Sequence, residues 1–478
     1  MATPYQINVP ASDTGLLKIH QQDETAKKLS SLLQEDLETH HVFFNQEGFH
    51  NHIPHHILSL FGTGASTSTI QTSYDQNNNY QLPAQKIHAG VADALAADWA
   101  SAAPKNLGNG SRYADFLLFF QREIERAASH PDVSSGKLSA HEAVLDEFLF
   151  RGDARAEDML QRMFAGFLHP IIQLMFGVEW SQPAIVAEAL AQAAVHKNNL
   201  KDFLEEAEAR SRKSSSKDSS SLAELYERIG ASDKLRKAPR MSDANKIHDG
   251  ILVRAPEEML EIVSQVHVRE DEVDEKTAEM FELAVWMAAG AALRPGKMAK
   301  WDFFLMHHVN SAPIFLTLNQ MGWLSATNKA RILEWKIRMD LVQYAARGTP
   351  DIRFDLVKQY TPQDARNGKS LVGKHQDLLP RFHALHGDDG HTIKLVRALS
   401  ICEELVQKYN DKSWRKMTSP ETWLKMHYMV LDGAEDNTAT WVRSAGFDEA
   451  WKARLDAPPF WQDTTDRKPQ DVPSPRLA

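Results

Sequence analysis

Residues 156–177, AEDMLQRMFAGFLHPIIQLMFG, and residues 181–209, SQPAIVAEALAQAAVHKNNLKDFLEEAEA, carry the reading that decides the fold class. Apolar side chains return every three or four positions through both stretches. Strict polar/apolar alternation is scarce in the rest of the chain, so helices are expected throughout. The start signals agree. Ser181 precedes Pro183 and a long amphipathic run, and Ser419 with Pro420 precedes ETWLKMHYMVL, in each case a capping residue followed by an early proline. The expectation is an all-α fold organised as a single large helical domain over residues 1–478. Two segments depart from the pattern. ARSRKSSSKDSSSLAELYERIG, residues 209–230, shifts to Ser and Lys and is read as an exposed insertion near residues 207–240. The Pro-rich tail 456–478 is expected to lie extended on the surface.

Composition narrows the function classes. With 42% hydrophobic residues the chain can bury a large core, and a formal charge of −10 disfavours nucleic acid, whose binders concentrate Lys and Arg in a basic stripe. A small neutral or weakly acidic substrate is expected. Cys402 is the only cysteine, so no disulfide and no thiolate metal site can form within one chain. The N-terminal MATPYQ lacks the basic-then-apolar pattern of a signal peptide, and no apolar run approaches the ~20 residues that span a bilayer. A cytoplasmic protein without a membrane partner is expected.

The unusual quantity is 21 histidines. Four segments hold those that matter. FHNHIPHHILSLFGTGAS, residues 49–66, places His52, His55 and His56 on one face of a helix ending near Gly62 to Gly64, since i, i+3 and i+4 are neighbours. A polar helix start with capping and solvent-facing imidazoles is the other reading. FAGFLHPIIQLMFGVEW, residues 164–180, sets His169 among apolar residues, where the ring needs a partner: a carbonyl, a metal, or Glu188 in the next helix. KWDFFLMHHVNSAPIF, residues 300–315, carries His307 and His308, which diverge by about 100° on a helix, so one is read as ligand or base and the other as structural. HALHGDDGHTIKLVRALS, residues 383–400, reads as a turn and N-cap at Asp388 and Asp389 followed by a helix with Lys394 one turn after His391. Lys394 is either a solvated helix-start lysine or an amine that reacts with carbon dioxide to give an anionic carbamate. No phosphate loop, dinucleotide fingerprint, nucleophile elbow or His-Glu-x-x-His spacing is present.

Four pieces in this order, FNQEGFHNHIPHHILSLFGTGAS, HPIIQLMFGVEW with the later AEALA, RPGKMAKWDFFLMH, and HGDDGHTIKLVRAL, resemble the questin oxidase-like family of fungal polyketide biosynthesis, from about residue 40 to about residue 430. The resemblance implies a non-heme iron-dependent dioxygenase with its metal site in the core of the domain. Its ligands would be His52, His169, His307 and His391, with carbamylated Lys394 as the fifth. It implies oxidative carbon–carbon cleavage of an anthraquinone-type ring, with dioxygen as co-substrate and His56, then His55, as general base. NADPH would act indirectly, through a partner reductase that reduces the quinone. Four imidazoles and one carbamate suit Fe(II) with a position left for dioxygen. The chain departs from the family pattern at Gln173, where a second histidine is frequent, and at Asn310, where threonine is. Two other readings compete: an NADPH-dependent Baeyer–Villiger oxidase without flavin, which predicts coupled NADPH consumption, and a non-catalytic polyketide-binding protein, which predicts binding without oxygen uptake.

Overall fold

The computed structural model of the chain describes residues 1–213, 221–436 and 438–452. Helices dominate it, and extended pairing among these residues is confined to isolated bridges such as Phe43 with His50, so the all-α expectation holds. No helix among them is long and apolar enough to cross a membrane.

The described residues form two compact units. One comprises residues 1–204, 313–329 and 386–394; the other comprises 205–312, 330–385 and the residues from 395 onward. In the first unit, the Ile53–Gly62 and Pro183–Val195 helices are buried over essentially their whole length, and the His169–Glu179 helix from His169 to Val178. A helix that is apolar all round has no face for water and goes to the interior. The His169–Glu179 helix packs on both of the others, and Gly177 lets it approach closely: a Cβ there would stand 2.8 Å from the Val186 nitrogen. The Tyr113–Ala127 helix covers the Pro183–Val195 helix, and the Asp23–Thr39 and Thr67–Asn78 helices flank Ile53–Gly62. In the second unit, the Val273–Ala291 helix packs against Phe303–Asn310, whose N-terminus is capped by the buried Asp302 through the backbone N–H groups of Phe304 at 2.8 Å and Leu305 at 3.0 Å.

Two local expectations are corrected. Ser181 does not cap the Pro183 helix; it takes a left-handed φ of 49° and Gln182 holds the cap position. The 207–240 span is not a continuous exposed loop. Lys201–Lys213 and Leu222–Ala231 are helical, and Leu222, Leu225, Tyr226 and Ile229 recur at helical spacing and are buried. Its serine-rich residues 214–220 and the 456–478 tail lie outside the described residues. The Ser419–Pro420 start and the end of the His52 helix at Gly62 are as read.

Candidate metal centre

Local backbone explains how the first imidazole is presented. Residues 42–51 double back, with Asn51 N–H donating to the Val42 carbonyl at 2.7 Å and Phe44 N–H to Phe49 at 2.8 Å. Asn51 then accepts from Ile53 N–H at 2.9 Å and donates to Asp36 at 2.8 Å. His52 is thereby left at the cap position of the Ile53 helix, with its side chain making no capping bond.

His169 begins its helix after three successive left-handed residues, Gly166, Phe167 and Leu168, with φ of 54°, 54° and 68°. For Phe and Leu this conformation is costly and persists only where the surroundings enforce it. At Gly166 a side chain is excluded as well, because a Cβ would lie 2.6 Å from His196 Nε2. The strained turn aims the Gly166 carbonyl at His169 Nδ1, 2.6 Å away. A carbonyl only accepts, so His169 Nδ1 carries the proton and Nε2 the lone pair.

The same logic governs the other two rings. His391 Nδ1 donates to Asp389 at 2.5 Å, leaving the lone pair on Nε2. The second oxygen of Asp389 lies 3.6 Å from His52 Nδ1, so the carboxylate favours a proton there too. Across the site, His52 Nε2 and His169 Nε2 are 2.9 Å apart, with rings 10° from parallel, and the His391 ring stands at 86° to His52. One nitrogen from each of His52, His169 and His391 lies within 4.8 Å of the others, and all three residues are buried. Lone pairs converging at this distance repel unless a proton or a cation sits between them. Burial, then Lys394 and His391, lowers His52 to about 3, so the ring is neutral and its one proton sits either on Nδ1, toward Asp389, or on Nε2, where it bridges to His169. His391 is also lowered by burial, against the pull of Asp389. Burial alone would raise Asp389, but His391 and His52 hold it well below the usual range.

Lys394 is 3% exposed, so it is not a solvated helix-start lysine. Its Nζ has no hydrogen-bond partner among the described residues, and burial lowers its pKa to about 8 although Asp389 and Asp388 pull it up. A buried, unpaired, partly neutral amine is the form that can take up carbon dioxide. Asp388 caps the helix as read, accepting from Thr392 and Ile393 N–H at 3.0 and 3.2 Å.

His55 and His56 are both buried rather than solvent-facing, and the His55 ring centre lies 5.8 Å from that of His52 and 6.3 Å from that of His169. His55 Nε2 donates to Gln173 Oε1 at 2.5 Å, and its Nδ1 has no partner among the described residues. His56 Nδ1 accepts from Asn77 at 3.2 Å and its Nε2 lies 4.0 Å from Asp388. Glu188 is not the partner of His169; it accepts from Gln173 at 3.0 Å. His307 belongs to the second unit, where its Nδ1 donates to the Phe303 carbonyl at 2.5 Å, the same tautomer as His169 and His391. Its neighbour His308 donates to Asp340 at 2.5 Å, and Lys336 pairs with that carboxylate at 2.5 and 2.7 Å, the structural role expected for one of the two.

Sequence reasoning missed His50 and His196. His50 stacks on His169 with ring centres 4.0 Å apart and meets His196 at 2.8 Å, nitrogen to nitrogen. His196 follows the Pro183 helix by one residue, and no periodicity or motif marks it as a neighbour of residue 50.

Residues 49–399 match the family model described as questin oxidase-like. The chain belongs to that family. The questin oxidase-like chain is 33% identical to a Baeyer–Villiger monooxygenase of Cryptosporiopsis sp., over 93% of its own length and 98% of the relative's. It is 32% identical to questin oxidase of Aspergillus fumigatus, over 94% and 99% of the two chains. It is also 32% identical to an oxidoreductase of Aspergillus parasiticus, over 92% and 86%. Membership makes this questin oxidase-like protein an oxidoreductase.

Proposed function

We propose that the chain is a non-heme iron-dependent dioxygenase that opens a ring of an anthraquinone-type aromatic polyketide. The observation that carries the reading is the meeting of His52, His169 and His391, with His169 and His391 in tautomers that leave the lone pair on Nε2 and His52 Nε2 2.9 Å from His169 Nε2. The residues fit a divalent cation: three neutral imidazoles, two of them oriented through Nδ1 by a carboxylate or a carbonyl, and the orphaned amine of Lys394 ready to become an anionic carbamate. Bound there, Fe(II) supplies the one-electron chemistry that lets triplet dioxygen react with a closed-shell aromatic.

The protein's own groups do the rest. Burial of the imidazoles keeps bulk water from competing for the lone pairs. Asp389 holds His391 in its tautomer and places negative charge beside His52. The phenol or enol proton of the substrate needs an acceptor. His56 Nδ1 is occupied by Asn77, whereas His55 Nδ1 carries a lone pair without a partner, so we assign the base to His55, with His56 second. NADPH enters indirectly, in a partner reductase that makes the hydroquinone.

Metal content and oxygen uptake on a reduced anthraquinone test the reading in wild type and in His391→Ala, Lys394→Ala and His169→Ala. About one iron per chain, oxygen uptake that follows it, and loss of both in the variants support it. Metal-free turnover that consumes NADPH instead establishes the Baeyer–Villiger reading, which the names of the relatives favour.

A further inference from the structure

A buried chain of three side chains runs away from His55. His55 Nε2 is 2.5 Å from Gln173 Oε1, and Gln173 Nε2 is 3.0 Å from Glu188 Oε2. All three residues are buried, with His55 wholly so. At the far end Asp36 acts electrostatically on Glu188, and Glu188 in turn on the Tyr113 hydroxyl.

The chain has a direction, which hydrogen-bond polarity sets. An amide has a donating end and an accepting end, and a carboxylate only accepts. With Glu188 ionised, the Gln173 NH2 must turn toward it, because a reversed amide would set carbonyl oxygen against carboxylate oxygen. With Glu188 protonated the same arrangement survives, since Oε2 still accepts; the reversed amide is compatible with the acid form alone. Burial and Asp36 push Glu188 well above the usual carboxylate range, and this one polarity satisfies both its forms. That polarity presents Gln173 Oε1 to His55. A carbonyl oxygen can only accept, so the His55 proton must sit on Nε2 and the lone pair on Nδ1.

We propose that Glu188 is a positioning residue that, acting through the Gln173 amide, dictates which ring nitrogen of His55 is basic. The consequence for catalysis rests on the assignment of His55 as base made above; the tautomer itself does not. The third member of a base triad is ordinarily a carboxylate bonded to the histidine directly. Here an amide stands between the two, and it passes on the direction of the bond without bringing a negative charge to the ring.

The test uses the full chain with histidine rings labelled with nitrogen-15 and freed of paramagnetic metal, the His55→Gln spectrum identifying the His55 signals. Wild type is expected to show a protonated Nε2 and an unprotonated Nδ1. Glu188→Gln can offer either end of its own amide, so both tautomers should appear. The double variant Gln173→Glu, Glu188→Gln exchanges acid and amide and should restore the single wild-type tautomer, because the carboxylate then facing His55 only accepts. In iron-loaded protein, kcat should fall in proportion to the lost Nε2–H population in Glu188→Gln and recover in the double variant, with KM and iron content unchanged. A wild-type His55 protonated on Nδ1, or a single unchanged tautomer in folded Glu188→Gln, overturns the proposal. If wild type takes up no oxygen, the oxygenase reading fails while the spectra still decide this one.

Discussion

The sharpest prediction concerns Lys394. Burial lowers its pKa from 10.5 to about 8, which multiplies the neutral amine at pH 7 roughly 300-fold, to about one molecule in ten. Carbamate formation consumes neutral amine. If the carbamate completes the metal site, the rate at which metal-free protein captures Fe(II) should rise about tenfold per pH unit below pH 8 and level off above it. His52, held at about 3, is already neutral across this window, and burial moves His391 away from it, so the slope is not theirs. The assay is anaerobic Fe(II) loading between pH 6.5 and 9 at fixed dissolved carbon dioxide, read as iron retained after desalting. Omission of carbon dioxide should abolish the slope, and Lys394→Met should remove both slope and retention. Loading that ignores carbon dioxide and pH, or wild-type retention by Lys394→Met, would refute the reasoning. Linkage gives a companion effect with a definite sign. Because the folded pKa is depressed, the unfolded chain binds the extra proton between pH 8 and 10.5. The metal-free fold should therefore gain about 3 kcal/mol as pH rises through that interval, and Lys394→Met should not.

Three further outcomes are expected. Gly166→Ala should destabilise the protein by about 2–3 kcal/mol in thermal or urea melts, since the left-handed backbone costs ~1–2 kcal/mol and the new Cβ would meet His196 Nε2 at 2.6 Å; unchanged stability would show that the turn adapts. His55→Gln should lower kcat by about 100-fold or more at constant iron content, and His56→Ala, whose nitrogens face Asn77 and Asp388, should cost less. The opposite order in single-turnover rates returns the base to His56. Buried His41 and His427, lowered to about 4 and about 3, are protonated in the unfolded chain before the folded one. Each should therefore remove about 1.4 kcal/mol of stability per unit as pH falls below 6.5, with Asp432, raised to about 6, offsetting one such contribution below that value. A melting temperature that holds steady from pH 7 to 5 would contradict this balance.

Much was legible from sequence alone. Helical class follows from local apolar periodicity, and the apolar residues around His169 placed that helix in the interior, whereas the sequence left the His52 helix open to a solvent-facing start that the fold buries. Asp388 as a cap and the Gly62 stop are short-range features that a few residues determine. The resemblance, carried by four ordered motifs, named His52, His169, His307, His391 and Lys394 as one ligand set, and ring nitrogens of His52, His169 and His391 meet. Tertiary structure decided what depends on residues far apart in the chain. That Gln173 rather than water or metal meets His55, that Glu188 serves Gln173 and not His169, and that Lys394 is buried and unpaired are contacts between helices. Local spacing has no information on them. Tautomers belong to the same class, because the proton on an imidazole is placed by whichever acceptor the fold brings to its other nitrogen. For His169 that acceptor is a carbonyl held in a strained left-handed turn, a conformation that the residue types Phe167 and Leu168 disfavour and that only the packing around His50 and His196 can sustain.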